Sequence, residues 1–289
     1  MLLAAAFLRS APGLRLLQAF ALPSVVEVRS VANDDFVEEL WTYANEVRMV
    51  EHPWFQGIVQ HRWTAEEIIL GEVQHYLRVR TNPIYFGYIA INAVADKTYS
   101  LMDTVLENFM EEIGGPRSHV DIVLQFLEAG GIGREDADNA EAAPGTMAAI
   151  EMITHHCQSR SALEGIAMLA FVESMHGGPG GAAASVYPEL VGHYGFSERA
   201  AETYKIHAVQ DVGHGGRQIE ILRELAQDEP TRERVRRAVK LGLTAYTLEW
   251  DGHVQAITGK REFWSGTGPL HLRQPTVRLS QTPARDVPV

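Results

Sequence analysis

Apolar side chains recur along the chain with the period of an α-helix, three or four residues apart. In the stretch from Asp34 to Val50, the residues Phe36, Leu40, Tyr43 and Val47 fall on one stripe. A helix with such a stripe buries it against neighbouring elements and leaves its other face in water. The spacing therefore predicts an amphipathic helix here.

Start and stop signals predict further helices along the chain. Thr64 and Glu67 have the spacing of a capping box, and Pro83 suits the first turn of a helix. We predict helices over residues 34–50, 64–80, 82–95, 98–113, 146–157, 161–176, 197–213 and 231–257, with a polar loop over 129–145. No segment alternates as a strand would. The expected fold is all-α, a bundle of seven to nine helices.

The two ends of the chain differ from its middle. We expect an N-terminal extension over residues 1–30, one domain over 31–262 and a loose tail over 263–289. The apolar runs of the extension are broken by Arg9, Pro12 and Arg15, so they are too short to span a bilayer. A cleaved export signal is the alternative for this extension, and a cytoplasmic protein is the expectation.

Composition narrows the chemistry that the chain can support. Of 289 residues, 37 are acidic and 25 basic, a net charge of -12 that repels nucleic acid. A single cysteine, Cys157, excludes an intramolecular disulfide and a cysteine-ligated cluster. With twelve histidines in the chain, a bound metal would be held by imidazole and carboxylate groups, which favours iron, manganese or zinc.

One motif has the spacing of metal ligands on a helix. His207, Asp211 and His214 stand at positions i, i+4 and i+7, which share one helical face. Two imidazoles and a carboxylate on one face can bind a metal ion inside a bundle. A polar face turned to solvent is the alternative, but Tyr204 and Val212 beside the motif favour an inward face.

Further carboxylates stand where a charge is unexpected. Glu173 interrupts an apolar run, and a buried carboxylate costs several kcal/mol unless it is paired or bound to metal. Glu112 ends a predicted helix just before Gly114, and His119 follows the break. The chain can fold there so that Glu112 and His119 approach one centre.

This order of residues resembles the haem-oxygenase-like non-haem diiron oxidases, relatives of the TenA and PqqC proteins. The resemblance spans about residues 34–257 and includes the pattern Asn108-x-x-Glu111-Glu112-x-Gly114. It implies the haem-oxygenase-like helical bundle, two iron ions or manganese with iron, and O2 as co-substrate. Carried over by position, the six ligands are Glu112, His119, Glu173, His207, Asp211 and His214. Glu173 would bridge the two ions.

Three other positions bear on the assignment. Glu72 is a candidate for an additional ligand, because some N-oxygenating members of the family have one more carboxylate. Cys157 lacks the aromatic setting of the TenA-type nucleophilic cysteine, so a buried free thiol is the simpler interpretation. One branch of the family forms 4-aminobenzoate from its own tyrosine and lysine. Ala183, ten residues after Glu173, stands where that lysine would be.

The resemblance implies two groups of reactions: N-oxygenation of amines or guanidines, and oxidative cleavage of amino acids or fatty acids. The excess of acidic residues favours a small amine-bearing metabolite as the substrate. We expect the reaction to belong to specialised metabolism. We expect a small-molecule substrate, with no nucleic-acid or membrane partner. An external electron donor and a homodimer are compatible with this interpretation. The alternative is a metal-free TenA-like or PqqC-like enzyme or a small-molecule binding protein.

Overall fold

A computed structural model describes residues 31–114, 117–177 and 181–259, with the side chains of residues 31–33, 173 and 209–215 left out. Within these ranges it contains helices and no strand, which confirms the all-α fold class. The predicted N-terminal extension, residues 1–30, and the predicted C-terminal tail, residues 263–289, lie outside the described residues. The predicted domain boundaries therefore stay predictions.

Twelve α-helices follow one another in the described part of the chain, joined by short turns. They are α1 Val31–Val47, α2 Pro53–Val59, α3 Ala65–Val79, α4 Asn82–Ala95, α5 Met102–Ile113, α6 His119–Ala129, α7 Arg134–Asp138, α8 Pro144–Ser159, α9 Ala162–His176, α10 Ala182–Gly192, α11 Glu202–Leu225 and α12 Glu229–Thr258. No helix of the described residues combines the length and the apolar character that crossing a membrane requires.

Side-chain caps begin several of these helices, and one of them was predicted from the sequence. Thr64 and Glu67 form the predicted capping box of α3, with the Glu67 backbone N–H donating to Thr64 Oγ1 over 3.1 Å. Ser161 caps α9 in the same way. Each cap satisfies backbone N–H groups that have no partner within the helix.

The predicted helices leave out four of the twelve that the described residues contain. These four are α2, α6, α10 and the short helix α7, which lies within the predicted polar loop 129–145. The predicted helix 197–213 is displaced, because α11 begins at Glu202 and continues to Leu225. Beyond Gly213, Ile219 and Leu222 are buried, and their burial offsets the cost of about 1 kcal/mol for each helical glycine.

The centre of the bundle is formed by α9 and α12. Every residue of α9 from Ala162 to Val172 is buried except Glu164. The apolar side chains among them belong to one continuous core, as expected for a helix that is apolar on all sides. At Gly242, an added Cβ would lie 2.0 Å from the Met168 carbonyl oxygen. The two backbones can therefore cross closely only because residue 242 has no side chain, and this crossing helps to fix α12 beside the cavity described below.

Candidate metal centre and its cavity

A cavity of about 650 Å³ lies between α3, α5, α11 and α12. Its described walls carry five histidines, His75, His119, His176, His207 and His253. They also carry five glutamates and two arginines, which are Glu72, Glu107, Glu111, Glu112, Glu249, Arg78 and Arg117. The cavity is thus a polar, mainly acidic site inside an apolar bundle, with a volume suited to a small molecule.

Three of the predicted ligands meet at one wall of this cavity. Glu112 at the end of α5 and His119 at the start of α6 lie 3.1 Å apart, Oε2 to Nδ1. His119 Nε2 lies 3.0 Å from His207 Nε2 on α11. The break between α5 and α6 brings Glu112 and His119 together, as the sequence predicts.

The chemistry of these donors fits a metal ion of the iron type. When Glu112 accepts a hydrogen bond from the Nδ1–H group of His119, the lone pair of His119 lies on Nε2, which faces His207. When two donor atoms each lie about 2.1 Å from one ion and the donor–ion–donor angle is a right angle, the two donor atoms are about 3.0 Å apart. The two Nε2 atoms have this separation, and imidazole with carboxylate is a donor set that iron and manganese accept.

Glu112 is held by a chain of buried polar groups. Its Oε1 accepts a 2.9 Å hydrogen bond from Asn82 Nδ2, and Asn82 Oδ1 accepts one of 2.9 Å from Arg78 Nη1. Burial raises the pKa of Glu112, but His119 and Asn82 outweigh it, and the net shift is downward. Glu112 is therefore favoured as a carboxylate, the form that binds metal.

Glu72, the candidate additional ligand, lies fully buried on α3 in the same cavity. Its Oε1 accepts a hydrogen bond of 2.5 Å from Tyr204, one turn before His207, and its Oε2 lies 2.9 Å from His75 Nδ1. Burial raises the pKa of Glu72 and lowers that of His75. The structure thus connects Glu72 to the His207 helix through Tyr204, rather than to His119 or Glu112 directly.

The other three predicted ligands are described by their backbone alone. Glu173 lies near the end of α9, and Asp211 and His214 lie in α11, where the i, i+4, i+7 spacing from His207 is realised in a continuous helix. Their side chains lie outside the described residues. Among the described side chains, no group of three His, Cys, Asp or Glu residues is arranged to hold an ion by itself. The six-ligand set stays a prediction.

The sequence analysis missed a buried ion pair in the cavity wall, between Arg78 and Glu249. Arg78 Nε donates to Glu249 Oε2 over 2.9 Å, and both side chains are almost fully buried. Burial raises the pKa of Glu249, but Arg78 and His253 outweigh it and lower the pKa to about 2. The signal that singled out Glu173, a carboxylate within an apolar helix, would also have found Glu249.

Cys157 and Ala183 were both singled out in the sequence, and both are buried. Cys157 is fully buried in α8 and does not line the cavity, and burial raises the pKa of its thiol to about 12. Ala183 is buried and borders the cavity. The buried free thiol predicted for Cys157 is confirmed.

Comparison with known sequences gives a family and distant relatives. The sequence model of a family described as iron-containing redox enzymes, of the haem oxygenase type, matches residues 72–247. A 4-aminobenzoate synthase of Chlamydia muridarum is 25% identical over 196 residues, which cover 68% of this chain and 80% of the relative. Another of the same name from Chlamydia trachomatis is 24% identical over 196 residues, covering 68% and 82%.

Solved structures share the fold at low sequence identity. A domain of unknown function with a haem oxygenase-like fold from Shewanella denitrificans has a TM-score of 0.63 and 15% identity, covering 81% of this chain and 98% of its own. A TenA homologue from P. horikoshii has a TM-score of 0.61 and 15% identity, covering 76% and 99%. These similarities confirm the predicted haem-oxygenase-like fold.

Proposed function

The chain belongs to the family of iron-containing redox enzymes, and from this premise we propose that it is an O2-activating non-haem diiron oxidase. Two iron ions, or manganese with iron, would be held by Glu112, His119, Glu173, His207, Asp211 and His214. Three carboxylates and three imidazoles leave two divalent ions with about one net positive charge, and hard oxygen ligands suit the higher-valent states of iron.

The observation that carries this proposal is the approach of Glu112, His119 and His207 across three helices to one cavity wall. Bound iron would supply the electrons that reduce O2. In the described geometry Glu112 lies on the Nδ1 side of His119 and orients that imidazole, with Asn82 holding the other oxygen of Glu112. As a direct ligand, Glu112 would exchange its hydrogen bond with His119 for the ion. Apolar walls that include Trp54, Phe55 and Trp250 limit water at the reacting groups, as oxidation chemistry requires.

The cavity supports an amine-bearing substrate over a fatty acid. Its described walls contain five glutamates against two arginines, with Glu249 paired to Arg78 and Glu107 paired to Arg217 behind the wall. An ammonium or guanidinium group would be attracted to this field, whereas a carboxylate would be repelled. We therefore propose N-oxygenation of an amine or guanidine, or oxidative cleavage of an amino acid, as the reaction.

The test begins with protein loaded anaerobically with Fe(II). We expect bound iron that survives desalting, and O2 consumption that rises with members of an amine, guanidine and amino-acid panel. A matched panel of fatty acids serves as the comparison. Turnover of fatty acids alone would contradict the substrate class, and protein that retains no iron would leave the metal-free TenA-like alternative.

The names of the curated relatives make 4-aminobenzoate a second product to test. The resemblance places the consumed lysine of that branch at position 183, where this chain has a buried alanine. We therefore expect no 4-aminobenzoate from the protein with iron, O2 and a reductant alone. Mass spectrometry of the small molecules and of the intact chain measures both product and self-modification.

A further inference from the structure

His253 on α12 is a buried histidine whose ring nitrogens lack partners at the cavity wall. Its exposed fraction is 3%, and neither Nδ1 nor Nε2 has a hydrogen-bond partner among the described residues. Edge-to-face packing on Trp54, with ring centres 4.8 Å apart, holds the imidazole in place. Burial of a polar group without a partner is costly, so such a group ordinarily has a function. Because His253 lines the cavity, the partner that its ring requires is a molecule bound there.

Glu249 stands one turn before His253 and presents one oxygen beside it. Glu249 Oε2 accepts the hydrogen bond from Arg78, whereas Oε1 lies 3.7 Å from His253 Nε2, too far for a direct hydrogen bond. A single nitrogen that donates hydrogen bonds of about 2.9 Å can reach both atoms at this separation. The pair therefore has the geometry to bind an N–H group between an anionic oxygen and an imidazole nitrogen.

The buried groups beside this pair favour one more positive charge. Glu72 and Glu249 are both almost fully buried in the cavity wall, and Arg78 is hydrogen-bonded to Glu249. Burial lowers the pKa of His75 well below its usual value, so the imidazole beside Glu72 is neutral and does not offset a charge there. This described part of the wall thus holds two carboxyl groups against one guanidinium. A bound monocation allows both carboxyl groups to ionise, whereas a bound anion opposes their ionisation.

The pair lies one imidazole away from the candidate metal wall. The ring centre of His75 is 6.2 Å from that of His253 and 6.5 Å from that of His119. An alkyl chain of about four to six carbons with a nitrogen at each end spans about 6–9 Å. Tyr246 and Trp250 of the same cavity offer apolar surface to such a chain. One molecule can therefore reach from His253 to the wall that contains His119.

We propose that Glu249 and His253 form a subsite for a second cationic nitrogen of the substrate. The substrate class is then a linear alkyl diamine of about four to six carbons, with one nitrogen at this subsite and the other, reacting nitrogen at the metal wall. The ammonium group at the subsite donates to Glu249 Oε1 and to His253 Nε2, and it takes no part in the oxidation. This subsite deepens the proposed function, on which it rests for the reacting end alone.

Ligands that differ only at their far end test the subsite. Titration calorimetry of the full chain without O2 compares the five-carbon diamine cadaverine with pentylamine and δ-aminovalerate, so that binding is measured and turnover is not. We expect cadaverine to bind at least about tenfold more tightly than pentylamine, because its second ammonium group adds charge-assisted hydrogen bonds. The carboxylate end of δ-aminovalerate should give no gain over pentylamine.

Variants of the two residues locate the effect. Glu249→Gln and His253→Phe should each lower the ratio of the affinities for cadaverine and pentylamine by at least about threefold, since each change weakens or removes an acceptor for the ammonium group. Glu107→Gln is the matched control, because Glu107 is another cavity carboxylate that pairs with Arg217, and it should keep the wild-type ratio. Circular dichroism checks the fold of each variant. If Glu249→Gln does not fold, because Arg78 loses its charged partner, His253→Phe and the ligand series decide.

A wild-type ratio below about tenfold, or tighter binding of δ-aminovalerate than of pentylamine, would overturn the proposal. A ratio that falls by less than about threefold in a folded variant of Glu249 or His253, or that falls equally in Glu107→Gln, would overturn it as well. Iron content and O2 consumption are measured separately. Protein that binds no iron but prefers cadaverine would overturn the proposed oxidase and retain the subsite.

Discussion

The Nε2 atoms of His119 and His207 face each other at 3.0 Å, although 88 residues separate them in the sequence. His119 stands at the first position of α6, and His207 lies in the first half of α11. Two neutral imidazoles can share one proton across this distance, but a metal ion would engage both lone pairs. The pair is therefore the most direct point at which to test the candidate metal centre.

Removal of either imidazole should weaken iron binding. For His119→Ala and His207→Ala we expect at least about tenfold weaker Fe(II) affinity, because each change removes a donor atom from the site. Equilibrium dialysis with iron analysis measures the affinity. His61→Ala is the control, since His61 is a partly exposed histidine that pairs with Glu189 outside the cavity. Equal iron affinity in all three variants would contradict the assignment.

Asn82 should matter for iron although it is not a predicted ligand. Asn82→Ala removes the donor to Glu112 and the acceptor for Arg78. Groups that orient a ligand typically contribute about 10–100-fold in metal affinity, and we expect a loss in this range. Asn139→Ala, at the exposed end of α7, is the control. Iron affinity within twofold of wild type, about the same in both variants, would show that Glu112 does not need this support.

The Arg78–Glu249 pair should control how stability depends on pH. Because the pKa of Glu249 is lowered from 4.5 to about 2, its contribution is present at neutral pH and is lost as pH falls from 4.5 toward 2. Arg78→Met leaves a buried carboxylate without its cation and should cost about 3–5 kcal/mol of unfolding free energy at pH 7. Burial then raises the pKa of Glu249, so this variant should gain stability relative to wild type as pH falls from neutral.

Urea unfolding followed by circular dichroism at several pH values measures these differences. The double variant Arg78→Met, Glu249→Leu should recover most of the lost stability, because no unpaired charge remains. Arg80→Met is the control, since Arg80 pairs with Asp138 at the surface, where such a pair contributes about 0–1 kcal/mol. An Arg78→Met variant as stable as Arg80→Met would mean that Glu249 is not buried as a carboxylate.

Cys157 should be inert in the folded protein. With its pKa raised to about 12, the thiolate fraction at pH 8 is about one part in ten thousand, and the side chain is buried. We expect iodoacetamide to modify the protein in urea but not under native conditions, as read by intact mass. Cys157→Ala should retain whatever activity the wild type has. Rapid alkylation of the native protein would contradict this prediction and favour a nucleophilic role for Cys157, as in TenA-type enzymes.

The sequence predicted the elements whose signals are local. The helix over 82–95 was predicted with the bounds that the structure has, because Pro83 and the apolar run mark both ends. The start of α11 was missed because Ser197 has the form of a cap while its Oγ accepts from Ala200 in a turn before the helix. The continuation through Gly213 depends on packing against α9, and no local pattern reports such packing.

The candidate site was predictable where spacing alone decides which residues share a face. His207, Asp211 and His214 lie in one helix, and the break after Glu112 brings His119 back to it. Arg78, Asn82 and Glu249 were missed, because an arginine and an amide on a helix are ordinarily exposed. Their burial follows from how α3, α4 and α12 pack together, which one sequence does not specify.

Asp211 gives the sharpest test of the predicted ligand set. Its backbone lies in α11 one turn after His207, and it is the only anion among the three motif residues on that helix. Asp211→Asn keeps the size but removes a charge beside a divalent ion, at a cost of several kcal/mol for an effective dielectric constant of about 20. We expect about one iron per chain in place of about two, together with loss of O2 consumption and an unchanged helical spectrum. Iron analysis after anaerobic loading measures the stoichiometry. Full iron content with full activity would remove Asp211 from the ligands and, with it, the anchor from which the other ligands were assigned.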